Sequence, residues 1–458
     1  MTKPRNTKPK TPPKAPNTAW PSAAQERPAE KPSLSGAAVN RRAADRLRAG
    51  HLWVYASDVE TITLPKSEEN PPALIAVADN RGIFLGTALY NPSSQIVLRL
   101  VSRQALDQAG WLELLESRLR TAIARRKPML DAANDACRLC FSEADELPGL
   151  VIDKYGELVI LQLLTKGLLS AGAGVTETCI RVLREELKPT AILERPDPRI
   201  RELEGLPAPN LDPLWLADPA RPAAATQFHL NNLVFHYDAN AGQKTGAFLD
   251  QRTNYAAARE WAQQLSLAKS GLAKSGFQGR ALDVCCYQGG FALHLAQVCR
   301  QVTGIDTSRA SLEVAERNLE ANRSHGNTKV NWADVDWIEA DAFEILRDWS
   351  QAGEVFDIIV LDPPAFAKTK RAVEGALRGY KELNLRALKM IRPGGLLVTC
   401  SCSHHVAWAD LEAAVASAAA DASRRVSLLE RRGAAPDHPV VLNIPESEYL
   451  KCLVLEVE

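Results

Sequence analysis

Four aspartates and one cysteine stand at or just after the ends of short apolar runs in the C-terminal half of the chain. They are Asp283, Asp306, Asp341, Asp362 and Cys402. The carboxyl ends of parallel strands meet at one edge of a sheet, so we predict that these side chains share one crevice. Carboxylates at such an edge accept the ribose hydroxyls of a nucleoside cofactor, and a cysteine thiolate is a nucleophile. The pattern therefore predicts a cofactor site beside a reactive thiol.

The stretch from residue 281 to residue 306 predicts the unit that holds this cofactor. An apolar run at 281–286 is followed by the turn YQGG, a helical pattern and a second apolar run that ends on Asp306. A dinucleotide needs G-x-G-x-x-G for its pyrophosphate, whereas this turn offers only Gly289 and Gly290. S-adenosylmethionine (SAM) carries no phosphate, so the shorter turn favours SAM over NAD. An ordinary tight turn without a cofactor stays open at this stage.

Three of these residues also have a purely structural interpretation. Cysteine is common as a small buried residue, which would account for Cys402 at a strand end. Asp341 has the residue type of a helix N-cap, and Asp306 has that of a turn former. Their joint occurrence at successive strand ends is what favours a site.

The elements that position these residues alternate between strand and helix. Helices are predicted at 308–323, 343–349, 372–391 and 408–420, and strands at 335–340, 356–361, 396–399, 426–430 and 449–457. Such alternation is typical of an α/β domain with a doubly wound, mostly parallel sheet, which we assign to residues 226–458. A helix from about residue 250 to about residue 265 should precede it. The tandem repeat LAKSG at 267–276 is then predicted to lie in an exposed loop.

Two smaller domains are predicted ahead of this one. Residues 36–104 contain strand-like runs separated by turns, which indicate a β-rich domain. Residues 105–225 indicate an α+β domain that ends in a proline-rich connecting loop. Its first helix ends on several arginines, for which a solvated surface is the first interpretation and a phosphate contact the alternative. Cys137 and Cys140 have the spacing of half a zinc site without a second pair, so we expect buried thiols and no metal.

Composition and charge set further bounds. Nine cysteines without a framework spacing favour reduced thiols and a cytoplasmic protein, and no apolar run is long enough to predict a membrane span. The net charge is zero, yet residues 1–50 hold eleven Lys or Arg and three acidic residues. Residues 1–35 are rich in proline and poor in large apolar residues. They are predicted to be a disordered basic tail that can follow a phosphate backbone.

Motifs along nearly the whole chain after about residue 40 carry a family resemblance. They are GHLWVYASDVE, NPSSQIVLRL, DELPGLVIDKYG, GQKTGAFLDQR, LDVCCYQGGFA, DPPAF, RGYKELN, TCSCS and DHPVVLNIPESEYLK. The chain resembles the RlmI-type SAM-dependent methyltransferases, which modify C5 of a cytosine in large-subunit (23S) ribosomal RNA. The resemblance implies an N-terminal PUA RNA-binding domain, a central α+β domain and a C-terminal Rossmann-like class I methyltransferase domain. It also allows a homodimer.

The resemblance further implies roles for single residues. Cys402 would be the nucleophile that adds to C6 of the cytosine, and Asp362 would hold the N3 or N4 edge of the base. Asp306 would bind the ribose of SAM, Asp341 the adenine amino group and Asp283 the methionine end. Further cofactor contacts are expected at Gln251, Cys285, Tyr287, Gly289 and Asp362. Further substrate contacts are expected at Pro363, Pro364 and Phe366, and the Phe366 ring would stack on a flipped-out base. The base that removes the C5 proton cannot be named from the sequence.

Two other functions stay open at this stage. The segment Asp362-Pro363-Pro364 with a nearby aromatic residue also suits an RNA methyltransferase that acts on guanine or an exocyclic amine, and such an enzyme needs no thiol. A noncatalytic RNA-binding or assembly factor is the other alternative, which the set of four aspartates disfavours. Replacement of Cys402 tests the first alternative, and failure to bind SAM would support the second.

Overall fold

The structure is a computed structural model that describes residues 36–64, 73–170, 173–207, 212–220, 224–240, 246–270, 279–324, 330–367 and 369–458. Several features of the sequence lie wholly or partly outside these ranges, including parts of the proline-rich connection and the last residue of the first LAKSG copy; three others matter most here. They are the basic tail at 1–35, the second LAKSG copy and the start of the GQKTGAFLDQR motif.

The N-terminal part folds into a six-stranded sheet with one helix. Its strands are β1 (Gly36–Val39), β2 (Trp53–Tyr55), β3 (Val59–Thr63), β4 (Leu74–Asp79), β5 (Phe84–Tyr90) and β6 (Ile96–Ser102), in the order β2-β6-β5-β4-β1-β3. The helix α1 (Arg41–Arg48) begins where the Asn40 side chain accepts a hydrogen bond from the amide of Ala43. This is the β-rich domain that the sequence predicts.

A five-stranded sheet, in the order β11-β10-β9-β8-β7, follows. Its strands are β7 (Cys137–Phe141), β8 (Leu150–Tyr155), β9 (Leu158–Leu163), β10 (Ala191–Glu194) and β11 (Trp215–Leu216), and its helices are α2 (Gln108–Arg126), α3 (Lys166–Ser170), α4 (Ala173–Leu187) and α5 (Pro198–Glu204). Cys137 and Cys140 are buried in its core, as predicted. The proline-rich stretch is more structured than predicted, because it contains α5 and β11. Pro198 begins α5, where its missing N–H costs no helical hydrogen bond.

Arg126, at the end of α2, departs from the prediction of a solvated or phosphate-facing helix end, because it is buried, whereas Arg125 and Lys127 beside it are exposed as predicted. Its guanidinium donates to Oδ1 of Asp145 (2.7 Å) and to the main-chain oxygen of Asp437 (3.1 Å). The helix thereby contacts a loop that belongs to the C-terminal part of the chain. A buried cation is retained when paired in this way.

A hairpin joins the central sheet to the C-terminal domain. It consists of β12 (Ala225–Leu230) and β13 (Leu233–Asp238). Its apolar side chains share one core with Tyr155 and Leu158 of the central sheet and with Leu293 and Leu319 of the C-terminal domain. The domains therefore meet through a continuous apolar interface.

The C-terminal domain is built on a seven-stranded, doubly wound sheet, which confirms the predicted fold class. Its strands are β14 (Arg280–Val284), β15 (Gln301–Asp306), β16 (Asp334–Glu339), β17 (Phe356–Leu361), β18 (Ile391–Ser401), β19 (Val426–Arg432) and β20 (Lys451–Val457). The order is β16-β15-β14-β17-β18-β20-β19, parallel from β16 to β18 and antiparallel at β20 and β19. From β14 the chain adds β15 and β16 on one side of the sheet, and then β17 and β18 on the other. The strand order therefore reverses between β14 and β17, and ligands bind at such a switch point.

Helices cover both faces of this sheet. They are α6 (Arg252–Ser270), α7 (Gly290–Leu295), α8 (Arg309–Ser324), α9 (Ala342–Ala352), α10 (Val373–Met390) and α11 (Trp408–Asp421). Leu282 of β14 faces the core formed with α9, α10 and α11, and its neighbour Ala281 faces the core formed with α6 and α7. Within the described residues, no helix is long and apolar enough to cross a membrane.

Two predicted boundaries in this domain are wrong. The strand that was expected at 396–399 is longer, because β18 runs from Ile391 through Pro393 to Ser401 and pairs along Gly395–Ser401 with β20. Its ladder to β17 jumps from Ile391 to Leu396, so Pro393 lies where no ladder hydrogen bond is needed. The helix before β14 runs to Ser270, so the first LAKSG copy begins in α6 and not in a loop.

Candidate active site

A cavity of about 450 Å³ opens at the carboxyl edge of β14, β15, β17 and β18. Nearly all of the residues predicted from sequence for the site line it: Gln251, Asp283, Cys285, Tyr287, Asp306, Asp341, Asp362, Pro363, Pro364, Phe366 and Cys402. The topology thus brings together residues from six separate segments of the chain.

The turn after β14 has a constrained backbone on one side of this cavity. Cys285 and Tyr287 have φ angles of 64° and 49°, which side chains other than glycine rarely adopt. Asp306, at the end of β15, fixes this conformation: its Oδ2 accepts from the amide of Tyr287 and its Oδ1 from the amide of Ser308, both at 2.9 Å. The Tyr287 hydroxyl donates to the main-chain oxygen of Gly246 (2.9 Å). Asp306 is therefore a turn former that also lines the cavity.

Gly289 differs from the other predicted cofactor residues, because it is not part of the cavity lining. It has a φ of 85°, and a Cβ at this position would face Trp337 at 3.0 Å and Ala315 at 3.4 Å. Gly290 lines the cavity instead, and a Cβ there would lie 2.3 Å from Cζ of Tyr255. The first glycine is needed for the left-handed turn and the second for the close approach of α7 to Tyr255.

Asp283 is fully buried within β14, beneath the start of α7. Its Oδ2 accepts from the amide of Ala292 at 2.8 Å, whereas its Oδ1 is buried without a hydrogen-bond partner among the described residues. Burial raises the pKa of Asp283 to about 8. A cation or a donor group bound in the cavity would satisfy this carboxylate.

Asp341 is the N-cap of α9, which was the structural alternative for this residue. Its Oδ1 accepts from the amides of Phe343 (2.9 Å) and Glu344 (3.1 Å). Capping occupies this one carboxylate oxygen, and Asp341 also lines the cavity. The two interpretations of Asp341 are therefore compatible.

Asp362, immediately after β17, belongs to a chain of side-chain hydrogen bonds. Gln251 donates to its Oδ1 at 3.0 Å, and Asn254 donates to Oε1 of Gln251 at 2.6 Å. Arg432 donates to Oδ1 of Asn254 at 3.1 Å and completes the chain. Gln251 and Asn254 are buried, so bulk water does not compete for their hydrogen bonds. These bonds therefore hold the Asp362 carboxylate in one orientation.

Cys402 follows β18 and lies against the segment after Asp362. Its Sγ is 3.8 Å from the main-chain oxygen of Pro363. The residues on both sides of it are buried serines held by one phenol: Ser401 donates to the Tyr380 hydroxyl (2.8 Å), which lies 3.0 Å from Oγ of Ser403. Cys402 itself is partly exposed and lines the cavity. The thiol is thus accessible on a fixed backbone.

The other cysteines near the cavity are in a different environment. Burial raises the pKa values of Cys400 and Cys286 well above the usual value for a thiol, and it raises that of Cys285 as well. Cys400 is fully buried beside Cys452 on the neighbouring strand. Thiols of this kind stay protonated at neutral pH and are poor nucleophiles.

Phe366 packs against two other aromatic rings. Its ring centroid lies 4.9 Å from that of Tyr380 and 5.9 Å from that of Phe343. Pro363 is buried and Pro364 is exposed at the same edge. The remaining surface of this segment faces the cavity and offers an apolar contact for a planar ring.

Three residues that the sequence analysis did not assign complete the site. Lys451, which is buried, donates from Nζ to the main-chain oxygens of Ser403 and Tyr449, both at 3.1 Å. The Tyr449 hydroxyl donates to Oδ2 of Asp250, and Asp250 lines the cavity. The motifs GQKTGAFLDQR and DHPVVLNIPESEYLK contain all three, but only the fold shows that these distant segments meet.

The residues present fit SAM. The buried Asp283 carboxylate has an unsatisfied oxygen, the turn at Tyr287 and Gly290 brings the backbone to the cavity wall, and carboxylates stand at the ends of β15 and β16. Groups of this kind suit an ammonium, ribose hydroxyls and an adenine amino group. Within the described residues, no group of three or more His, Cys, Asp or Glu side chains has the arrangement of a metal site.

Two family models match the chain. Residues 38–103 match a PUA-like domain, and residues 208–454 match an S-adenosylmethionine-dependent methyltransferase. The second match covers the whole cavity lining and all of the seven-stranded sheet except the end of β20.

Curated relatives match over most of their length. A protein of Pseudoalteromonas translucida named ribosomal RNA large subunit methyltransferase I is 34% identical over 90% of this chain and 96% of its own. A protein of Erwinia tasmaniensis with the same name is 35% identical over 88% of this chain and 94% of its own.

Solved structures share the fold. A structure described as a methyltransferase complexed with SAH covers 92% of this chain and all of its own, with a TM-score of 0.72 and 18% identity. A SAM-dependent methyltransferase from Streptococcus mutans has a TM-score of 0.71 and 17% identity over the same share of both chains.

Proposed function

The chain belongs to the S-adenosylmethionine-dependent methyltransferase family, and on that premise we propose that it methylates C5 of a cytosine in large-subunit ribosomal RNA. The observation that carries the proposal is the contact between Cys402 and the segment after Asp362. Sγ of Cys402 lies 3.8 Å from the Pro363 oxygen, so a partly exposed thiol and an oriented carboxylate share one cavity. The curated relatives described above, in which we expect the same arrangement, carry the name ribosomal RNA large subunit methyltransferase I.

The chemistry of the substrate explains why a thiol is needed. C5 of cytosine is a weak nucleophile, and addition of the Cys402 thiolate to C6 makes C5 enamine-like. Asp362 holds the N3 or N4 edge of the base, which favours the electron shift toward C5. SAM supplies, when bound, an electrophilic methyl group. Loss of the C5 proton and of the sulfur then restores the aromatic ring.

The cofactor side of the cavity has a separate set of residues. Asp306 binds the ribose hydroxyls, Asp341 the adenine amino group, and Asp283 the amino group of the methionine part. The backbone at Cys285 and Tyr287, with Gly289 shaping the turn, lies against the cofactor. Gln251 orients Asp362 between the two halves of the site.

The target base must leave its stack to reach Cys402. An enzyme that modifies a ring atom takes the base out of the duplex, and stacking on an aromatic side chain offsets part of the cost. Pro363, Pro364 and Phe366 form the apolar surface for this purpose. The PUA-like domain at residues 38–103 provides a second contact with RNA.

The proposal includes the domain limits and the assembly. The chain divides into a tail at 1–35, an RNA-binding domain at 36–104, a central domain with its connection at 105–225 and the methyltransferase domain at 226–458. It acts in the cytoplasm as a homodimer. Light scattering tests the assembly, since one chain has a mass of 50.0 kDa.

The decisive experiment is methyl transfer from labelled SAM to large-subunit RNA, with nucleoside analysis of the product. We expect 5-methylcytidine with the wild type and none with Cys402→Ala. RNA that carries 5-fluorocytidine at the target should form a covalent complex with the wild type, because fluorine cannot leave as a proton. Cys400→Ala is the matched control, because that thiol is buried and should not be needed.

A second candidate is methylation of guanine or of an exocyclic amine, which the Asp362-Pro363-Pro364 segment with Phe366 also suits. That reaction needs no thiol. A different methylated nucleoside, or full activity of Cys402→Ala, would replace the cytosine-C5 proposal with this one. Absence of SAM binding would instead indicate a noncatalytic RNA-binding factor.

A further inference from the structure

The proposed reaction needs a base that none of the residues assigned so far provides. After methyl transfer, C5 carries both the methyl group and its original hydrogen, and C6 carries the Cys402 sulfur. A base must accept the C5 hydrogen as a proton. The electron pair of that C–H bond forms the C5–C6 double bond, the C6–S bond breaks, and the sulfur leaves as a thiolate.

The cavity contains five aspartates, of which four already have a task. Asp306 accepts a main-chain amide on each oxygen, and Asp341 caps α9. Asp283 is fully buried under Ala292, and Asp362 is turned by Gln251 toward the polar edge of the base. Asp250 remains, and it lines the same cavity as Cys402.

We propose that Asp250 is the base that removes the C5 proton, with the Tyr449 hydroxyl holding its carboxylate in position. This inference rests on the proposed function, because only a C5 reaction through an adduct requires the step. The hydroxyl of Tyr449 donates to Oδ2 of Asp250, which leaves Oδ1 to take the proton. The amide of Ala435 donates to the main-chain oxygen of Asp250 at 2.7 Å, so the residue is fixed at both ends.

One segment connects the proposed base with the nucleophile. Lys451 donates from Nζ to the main-chain oxygen of Tyr449 and to that of Ser403, which directly follows Cys402. Leu450, between them, lines the cavity together with Cys402 and Asp250. A base must act while the sulfur is still bound to C6, and this arrangement keeps both groups at the same substrate.

Tyr449 is suited to hold the carboxylate and not to act as the base itself. Burial, and then the nearby Asp250 carboxylate, raise the pKa of Tyr449 well above 10. The phenol therefore keeps its proton at neutral pH and acts as a donor. Asp250 is 8% exposed, so its side chain lies in the cavity wall largely out of bulk water.

The test is the fate of the covalent intermediate with ordinary cytosine RNA. Asp250→Asn keeps the shape of the side chain and a carbonyl oxygen for the Tyr449 hydroxyl, but it cannot take the proton. We expect a denaturant-resistant protein–RNA complex that contains the transferred methyl group, with turnover reduced by about a hundredfold or more. The double variant with Cys402→Ala should form no complex.

A neighbouring acid provides the matched control. Glu448 is exposed, accepts from Nε1 of Trp408 and does not line the cavity, so Glu448→Gln should turn over like the wild type. Normal turnover of Asp250→Asn, or lost turnover without a complex while SAM still binds, would overturn the inference. If Asp250→Asn does not bind SAM, Tyr449→Phe decides: slower decay of the complex supports the inference, and an unchanged decay rate contradicts it.

The inference and the proposed function fail in different ways. If 5-fluorocytidine RNA traps the wild type but Asp250→Asn accumulates nothing on ordinary RNA, the thiolate reaction stands and another group is the base. If 5-fluorocytidine RNA traps nothing, the adduct reaction itself is wrong.

Discussion

Gln251 donates a hydrogen bond from Nε2 to Oδ1 of Asp362 at 3.0 Å, between residues 111 positions apart in the chain. Gln251 is buried, and its own Oε1 accepts from Asn254. The amide can therefore face Asp362 only with its NH₂ group. Asp362 therefore gains a fixed orientation from a partner that carries no charge of its own.

This pair predicts a pH-dependent defect in Gln251→Glu. An ionised carboxyl at position 251 would repel Asp362, whereas a protonated one can donate the missing hydrogen bond. We expect methyl transfer at least about tenfold below the wild type at pH 8, which corresponds to the loss of one buried hydrogen bond. The ratio of variant to wild-type activity should rise as the pH falls. A ratio that does not change between pH 6 and pH 8 would show that the pair does not control Asp362.

Asp306→Asn should weaken SAM binding. The variant keeps an oxygen for one of the two main-chain amides but loses the carboxylate that we propose receives the ribose hydroxyls. Hydrogen bonds to a charged group contribute about 1.5–3 kcal/mol, so we expect the Kd of SAM to rise about tenfold to a hundredfold. Calorimetric titration measures it. Asp334→Asn, on the exposed start of β16, is the control and should leave the Kd unchanged.

Asp283 should make the stability of the SAM-free protein depend on pH. Its pKa is raised to about 8 in the folded state, from an ordinary value of 3.8, so between these values the folded state holds a proton that the unfolded state lacks. The free energy of unfolding therefore declines as pH rises through this range and levels off above it. Asp283→Asn cannot titrate and should decline less. Urea unfolding at pH 6, 7, 8 and 9 measures both proteins, and parallel curves would contradict the assignment.

Two glycines should respond in opposite ways to replacement by alanine. A Cβ at Gly290 would lie 2.3 Å from Cζ of Tyr255, a buried ring, so Gly290→Ala should cost about 1–3 kcal/mol of unfolding free energy. Gly375 lies in α10 with only the end of Arg378 nearby, at 3.8 Å, so Gly375→Ala should add about 0.5–1 kcal/mol. Chemical denaturation compares the two. Equal effects would mean that the contact with Tyr255 relaxes without cost.

The basic tail should contribute to RNA binding. Residues 1–35 hold seven Lys or Arg and two Glu, so their deletion should weaken RNA binding and reduce its dependence on salt concentration. The affinity for SAM should stay the same, because the cavity lining in the described part of the chain begins at Leu230. Filter binding at several salt concentrations tests this. RNA affinity identical to that of the full chain would make the tail a passive segment.

The sequence alone determined the order of the elements and the edge at which the site lies. The apolar runs that end in Asp283, Asp306 and Asp362 predict parallel strands, and parallel strands place their carboxyl ends together. The turn with Gly289 and Gly290 favoured SAM over a dinucleotide, and the family resemblance of the motifs pointed to Cys402 as the nucleophile. These features are encoded by neighbouring residues, so the sequence alone is sufficient to recognise them.

Only the tertiary structure decided which distant side chains meet. Gln251 contacts Asp362, and Lys451 joins Tyr449 to the loop of Cys402, through hydrogen bonds that no periodicity encodes. Arg126 looked like a surface residue until the fold placed Asp145 and the oxygen of Asp437 beside it. Pro393 lies inside β18, five residues of which precede the strand expected at 396–399, and β20 pairs with the residues that follow it. Sequence patterns record burial and backbone preference, whereas partners across a core are set by how the elements pack.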